Sequence, residues 1–224
     1  MKKLISLAII LIPFLSFSQF GTKELYGYSR IGIGVGFSQI SYKTNLEGSE
    51  LGVPLTVTAN LGGGMTTELG FGFKLFDNIY MEPFVSYMFS STRYQNIGTK
   101  VYKLSTNRFN IGISGKYFVY VNSDVNLEFY GGTSFRIPQD MIVETVNGYE
   151  RVSFHSNLGV HGGFGGNYKK GDFVFNAGLR YRLENYKLNQ QAQLPSEFAT
   201  INPELQDLQM RGVDIVLSVM YNFK

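Results

Sequence analysis

Cysteine is absent from the sequence. That excludes disulfides, a thiolate metal site and a lipoprotein anchored through a lipidated cysteine. There are only two histidines, His155 and His161, and no carboxylate cluster accompanies them, so a metal site is not expected. Beyond residue 18 no run of about 18 uninterrupted apolar residues occurs, so no transmembrane helix is available. Strong charge is missing too. The formal net charge is +3, and it falls to +1 without Lys2 and Lys3. A near-neutral chain offers no global attraction for nucleic acid. Tryptophan is absent, while Gly (26), Phe (19) and Tyr (15) are abundant and charged residues make up 17%. Helix formers are sparse, and the mixture fits an all-β chain of one domain.

The N-terminus has the three parts of an export signal: basic Met1-Lys2-Lys3, an apolar segment over 4–15, and Ser16-Phe17-Ser18 where a signal peptidase would cut. The apolar segment falls short of the roughly 20 residues a membrane span requires. The expected organisation is a signal peptide over 1–18 and one β-domain over 19–224.

Within that domain apolar residues recur with period two. In the last segment Val213, Ile215, Leu217, Val219, Tyr221 and Phe223 alternate with Asp214, Val216, Ser218, Met220 and Asn222. Earlier, Ile31, Ile33 and Val35 alternate with Arg30, Gly32, Gly34 and Gly36. Such a strand has one apolar and one more polar face. Similar patterns span 53–75, 79–89, 109–117, 125–136, 158–168 and 173–184. The stretch 53–75 reads as one long strand with a bend possible at Gly62-Gly63-Gly64. Pro83 suggests a bulge, and Pro138 a local break in pairing.

Short turns are expected at Phe76-Asp77-Asn78, Asn122-Ser123-Asp124 and 169–172. The first must have an odd number of residues if Leu75 and Ile79 are to share a face. Polar connections are expected over 43–52, 92–106 and 187–212, the last with a short helix over 202–208. Asn147-Gly148 is a strong hairpin signal, pairing Val146 with Tyr149 and setting Glu144 opposite Arg151. About eight strands result, with long and short connections alternating. Short turns belong on the periplasmic side and longer loops outside. The expected fold is an all-β, transmembrane, antiparallel up-and-down barrel.

The export signal, the alternating strands and the closing Val219-x-Tyr221-x-Phe223 resemble the small outer-membrane β-barrel family of OmpA/OmpX-like architecture, including the Bacteroidetes-type, PorT-like barrels. The resemblance implies residence in the outer membrane of a Gram-negative bacterium, contact with its lipid, and insertion by the barrel-assembly machinery. That machinery would read Val219, Tyr221 and Phe223 as an assembly signal. Phe223 is penultimate here, where the commonest form of the signal ends in Phe.

Alternation places Arg30, Lys74, Arg108, Lys116, Arg136, Arg180 and Arg182 on the inner face, with Glu68, Glu82, Glu128, Glu184 and Asp214. An eight-strand interior is just wide enough for side chains to fill it. A paired, packed charge network is therefore expected rather than a pore, with inward glycines making room for the long side chains. Outward aromatics fall at two levels, Tyr117, Tyr168, Tyr221 and Phe223 near the short turns and Tyr87, Phe89, Phe109, Phe154 and Tyr181 toward the long loops, as membrane interfaces favour. Gly32-x-Gly34-x-Gly36 lies inside a strand and lacks phosphate-loop spacing. His155-Ser156 is the only stretch that suggests a hydrolase. Adjacent residues of a strand point to opposite faces, and the nearest following acid, Asp172, is in a turn at the far end. No catalytic residue, cofactor or metal ligand is assigned.

The expected function is non-enzymatic: a barrel that anchors extracellular loops for structural or interaction roles with an extracellular or membrane-protein partner. Three alternatives remain, namely an accessory subunit of a secretion or assembly complex, a small solute channel, and a lipid A-modifying enzyme.

Overall fold

The computed structural model describes residues 25–36, 40–44, 55–59, 63–90, 93–97, 100–145, 148–187 and 207–223. The expected signal peptide over 1–18 lies outside them. The strands in chain order are β1 (Leu25–Gly36), β2 (Ile40–Thr44), β3 (Leu55–Ala59), β4 (Gly64–Phe76), β5 (Ile79–Ser90), β6 (Arg93–Ile97) and β7 (Lys100–Ser105). They continue with β8 (Arg108–Tyr120), β9 (Val125–Pro138), β10 (Met141–Thr145), β11 (Gly148–Val152), β12 (Asn157–Lys170), β13 (Phe173–Lys187) and β14 (Asp207–Phe223). Eight of them close into an antiparallel barrel in the order β1-β14-β13-β12-β9-β8-β5-β4. The ring closes where β1 pairs with β14, Leu25 opposite Phe223 and Gly36 opposite Gly212.

The period-two sequence pattern becomes an inside-out polarity. On β14, Ile215 and Leu217 are 63% and 59% exposed on the outer surface, while Asp214 and Val216, which alternate with them, are 0% and 1% exposed. On β1 the exposed set is Ile31, Ile33 and Val35, with Arg30 buried. A soluble protein would reverse this arrangement. Charges inside and a continuous apolar exterior, with every barrel strand paired on both edges, match a bilayer surround. The outward aromatics lie where alternation puts them. Tyr117, Tyr168, Tyr221 and Phe223 ring the short-turn end, and Phe89, Phe109 and Tyr181 ring the other.

The three short turns each stitch one hairpin to the next. The carbonyls of Asn78, Asp124 and Asp172 accept backbone hydrogen bonds from Phe118, Lys169 and Asn222, at 2.9, 2.7 and 2.9 Å. In the second turn the Asn122 side chain accepts from the backbone N–H groups of Asp124 and Val125, a local bond that favours the bend. The third contains Gly171 at φ +65°, a left-handed position that glycine fills without steric cost.

Several expectations need correction. The first turn has two residues, not three. Phe76 pairs with Ile79, and the register shifts between Lys74 and Phe76, so a bulge at Leu75 supplies the odd residue the parity demanded. Pro83 causes no bulge. The ladder to β4 runs from Gly70–Phe84 to Phe73–Met81 without slipping, and Pro83 stays opposite Ile113 on the other side. Pro138 ends β9 instead of interrupting it. The stretch 53–75 is not one strand. β3 pairs with β2 in a separate hairpin, and β4 begins at Gly64, whose φ of +146° is accessible essentially to glycine alone.

The polar stretch 92–106 is not a plain connection. It forms the β6–β7 hairpin, which joins β10 and β11 in a four-stranded sheet of order β11-β10-β7-β6. The Asn147-Gly148 hairpin forms, with its register offset by two from expectation. Thr145 pairs with Gly148, Glu144 with Tyr149, and Arg151 with Ile142. A shift of two preserves which face each side chain takes. Residues 207 and 208 of the expected helix belong to β14, and the rest of that helix, like position 147, lies outside the described residues.

Candidate functional site in the barrel interior

The interior is stacked in three levels. The floor, at the short-turn end, is apolar: Tyr26, Tyr28, Tyr80, Phe84, Phe118, Val174 and Met220 form one buried cluster. Tyr80 meets Phe118 edge to face with ring centroids 5.0 Å apart, a favourable aromatic geometry. Two of the tyrosines turn their hydroxyls up into the charged level. Tyr26 donates to Glu82 at 2.5 Å, and Tyr28 to Glu68 at 3.0 Å.

The middle level joins strands far apart in the chain. Glu68 on β4 accepts from Arg30 on β1 at 2.6 Å and from Arg180 on β13 at 2.7 Å. Lys116 on β8 lies 2.7 Å from Glu82 and 3.0 Å from Glu128. Asn167 donates to Glu128 at 3.1 Å. The Arg30 guanidinium also sits 4.7 Å from the Tyr28 ring centroid, within cation–π range.

The upper level is organised by two carboxylates. Asp214 accepts from Arg180 Nε at 3.1 Å and from Arg182 Nε and Nη2 at 2.7 and 2.8 Å. Glu184 is shared by Arg182 at 2.9 Å, Arg108 at 3.2 Å and Arg136, and it also accepts from the Tyr186 hydroxyl at 2.8 Å. The two terminal nitrogens of Arg108 face the sulfurs of Met210 and Met88.

Glycine makes this packing possible at specific points. A Cβ on Gly72 would fall in the Tyr26 ring, and one on Gly159 would fall on the Arg136 guanidinium. The interior is filled, and the cavity at its upper level measures about 20 Å³, room for a single water-sized species.

Of the residues expected inside, Arg30, Glu68, Glu82, Lys116, Glu128, Arg180, Arg182, Glu184 and Asp214 meet in this network, with Arg108 and Arg136 at its top. Lys74 does not. It is half-buried at the short-turn end, below the network. Val219, Tyr221 and Phe223 lie on the outer face of β14, opposite Ser29, Gly27 and Leu25 of β1. The tyrosine hydroxyls and the Met88/Met210 pair were not singled out in the sequence. Their even positions place them inward, but nothing local marks them as partners of the charges.

The two histidines part company. His155 and Ser156 are exposed and precede β12 rather than standing on a strand; the His155 N–H donates to the Lys187 carbonyl at 2.8 Å. His161 points inward, its Nε2 2.7 Å from the Ser114 hydroxyl and its ring edge-on to Phe84. A Ser–His contact is the start of a nucleophilic dyad, and here Ser114 is 1% exposed. Among the described residues no group of three His, Asp or Glu is arranged to hold a metal.

No protein-family model matches the chain, and no curated protein matches its sequence. Solved structures do match. The outer membrane protein OprG from Pseudomonas aeruginosa superposes with a TM-score of 0.55 at 16% identity, over 91% of this chain and 98% of that one. Neisserial surface protein A superposes with a TM-score of 0.52 at 14% identity, over 89% and 97%. Identities this low speak for the fold alone. Fold and lipid-facing exterior together make the chain a small eight-strand outer-membrane β-barrel.

Proposed function

We propose that this barrel is a non-enzymatic scaffold, holding β-structured loops beyond the membrane for contact with an extracellular or membrane-protein partner. One observation carries the reading: the interior is spent on packing. An aromatic floor and eleven buried charges occupy the space that conduction or substrate binding would need. The chain's architectural variety lies instead at the long-loop end. There β6, β7, β10 and β11 form a sheet of their own, and β2 with β3 forms another. By the rule for bacterial barrels this end is extracellular. Ordered β-structure past the membrane offers a partner a preformed surface, which lowers the ordering cost of binding.

The test is removal of 93–105 or of 190–206 with the barrel strands left intact. Each deletion is expected to keep a folded, heat-modifiable barrel and to lose co-purifying partners from mild detergent. Unchanged partners with both deletions would refute the scaffold reading. Discrete conductance of the intact protein in planar bilayers would favour the channel alternative.

A further inference from the structure

We propose that a groove on the outer face of the barrel seats one phospholipid of the periplasmic leaflet, an acyl chain in the groove and a headgroup bearing both a phosphate and an ammonium at its foot. The groove measures about 670 Å³, within the roughly 300–1,000 Å³ of ligand pockets. It exists because outward side chains are missing. Gly166 and Ala177 stand opposite each other on β12 and β13, and a Cβ on Gly166 would meet nothing within 4 Å. Leu217 and Ile31 continue their line onto β14 and β1. Along the lower side runs a row of directly paired residues, Val125, Tyr168, Phe175, Val219 and Ser29. The asparagines behind the groove spend their donors within the barrel wall. Asn167 donates to Asn126 at 2.7 Å and to Glu128 at 3.1 Å, and Asn176 to the Gly166 carbonyl at 3.3 Å. What such a lining accepts is hydrocarbon.

The groove climbs into the membrane. Val125 is the first residue of β9, at the short-turn end, whereas Val219 is four residues from the end of β14 and Ser29 four from the start of β1. Its foot therefore lies between β9 and β12, and it rises toward β1. Tyr168, at the foot, belongs to the outward aromatics of that end, the level of a membrane–water interface. Charges of both signs gather there. Asp124 precedes Val125, Lys169 and Lys170 follow Tyr168, and Asp172 lies in the same turn; Asp172 is half-buried and the other three are exposed. Lys170 continues the outer face of β12 four residues below Gly166, about 13 Å along a strand at roughly 3.3 Å per residue. The two ammonium groups suit a phosphate. The two carboxylates beside them balance the charge of this end and suit a headgroup with its own cation. A second copy of the chain is disfavoured as the occupant. Both barrels would share one orientation in the bilayer, so a two-fold contact would bring two Lys170 side chains to the same height, like against like.

The test is photo-labelling of the full barrel, folded in vesicles that contain phosphatidylethanolamine with a diazirine on one acyl chain. Labelled peptides are located by mass spectrometry. Label should concentrate severalfold on 164–179 over the comparably exposed outer face around Val85 and Ile111. Gly166→Leu, which fills open space, should remove the enrichment while the heat-dependent gel shift reports a folded barrel. Ala177→Phe fills the groove from the next strand and replaces Gly166→Leu where that variant does not fold. Lys169→Gln with Lys170→Gln should lower the enrichment severalfold and leave labelling elsewhere unchanged. Diacylglycerol with the same diazirine chain should label the perimeter evenly. Even labelling by the phospholipid, equal enrichment with diacylglycerol, or enrichment that survives both groove-filling variants would overturn the site. Equal enrichment with phosphatidylglycerol would overturn the headgroup, and crosslinks joining two barrels through this face would assign it to a second copy instead.

Discussion

Leu217→Arg separates lipid from water as the surround of this barrel. Leu217 lies midway along the outer face of β14, between Ile31 of β1 and Ala177 of β13, and is 59% exposed. If water covered that face, an arginine there would change stability by no more than about 0.5 kcal/mol, as exposed substitutions generally do. In a bilayer, arginine on the lipid face near the midplane of a barrel costs about 2–4 kcal/mol, falling to about 0–1 near the interface. At about 1.4 kcal/mol per factor of ten, the 2–4 kcal/mol cost is roughly 30- to 700-fold in the folding equilibrium. Phe223→Arg, at the short-turn end of the same strand and the same face, is the control. The assay is reversible urea unfolding in lipid vesicles. The chain has no tryptophan, so far-UV circular dichroism and the heat-dependent gel shift replace indole fluorescence. A Leu217→Arg cost no larger than that of Phe223→Arg would refute the membrane orientation of the odd-numbered face.

Other expectations follow from the interior and its turns. Asp214→Asn removes the charge that Arg180 and Arg182 share and should cost about 3–5 kcal/mol, read as a lower urea midpoint; adding Arg182→Met should restore part of it. Gly64→Ala should destabilise by roughly 1–3 kcal/mol, because φ is +146° there and the new methyl would meet the Phe89 carbonyl; a circular-dichroism melt checks this. Phe223→Ala should reduce the amount of folded barrel in cell membranes far more than it shifts the urea midpoint in vesicles, if the residue serves assembly. Equal losses in both would assign it to packing.

The barrel strands were legible because lipid and packed interior impose strict alternation, and residues such as Ile31, Ile33 and Val35 obey it without exception. Parity also located the outer set on both arms of each hairpin. It could not separate a three-residue turn from a two-residue turn with a bulge at Leu75, since both move the face by one. The same limit hid the offset of the Asn147-Gly148 hairpin. The strands β6 and β7 were missed because they lie outside the barrel, where nothing forces alternation. Inside, the sequence supplied the members of the charge network and not its pairs. Arg180 meets Glu68 across 112 positions because of how the strands stagger around the ring, and one chain's sequence has no local mark of that stagger. His161 reads from the sequence as an inward, hydrogen-bonding residue, and so it is, but its pairing with Ser114 was hidden for the same reason, while adjacent His155-Ser156 drew attention by proximity alone.

The seam between Leu25–Gly36 and Asp207–Phe223 has a temporal consequence. Leu25–Gly36 and Phe173–Lys187 are joined only through Asp207–Phe223, so the sheet keeps two raw edges until that last segment is in place. A chain lacking Asp207–Phe223 would present unpaired amides along both of those edges, in a solvent that cannot satisfy them.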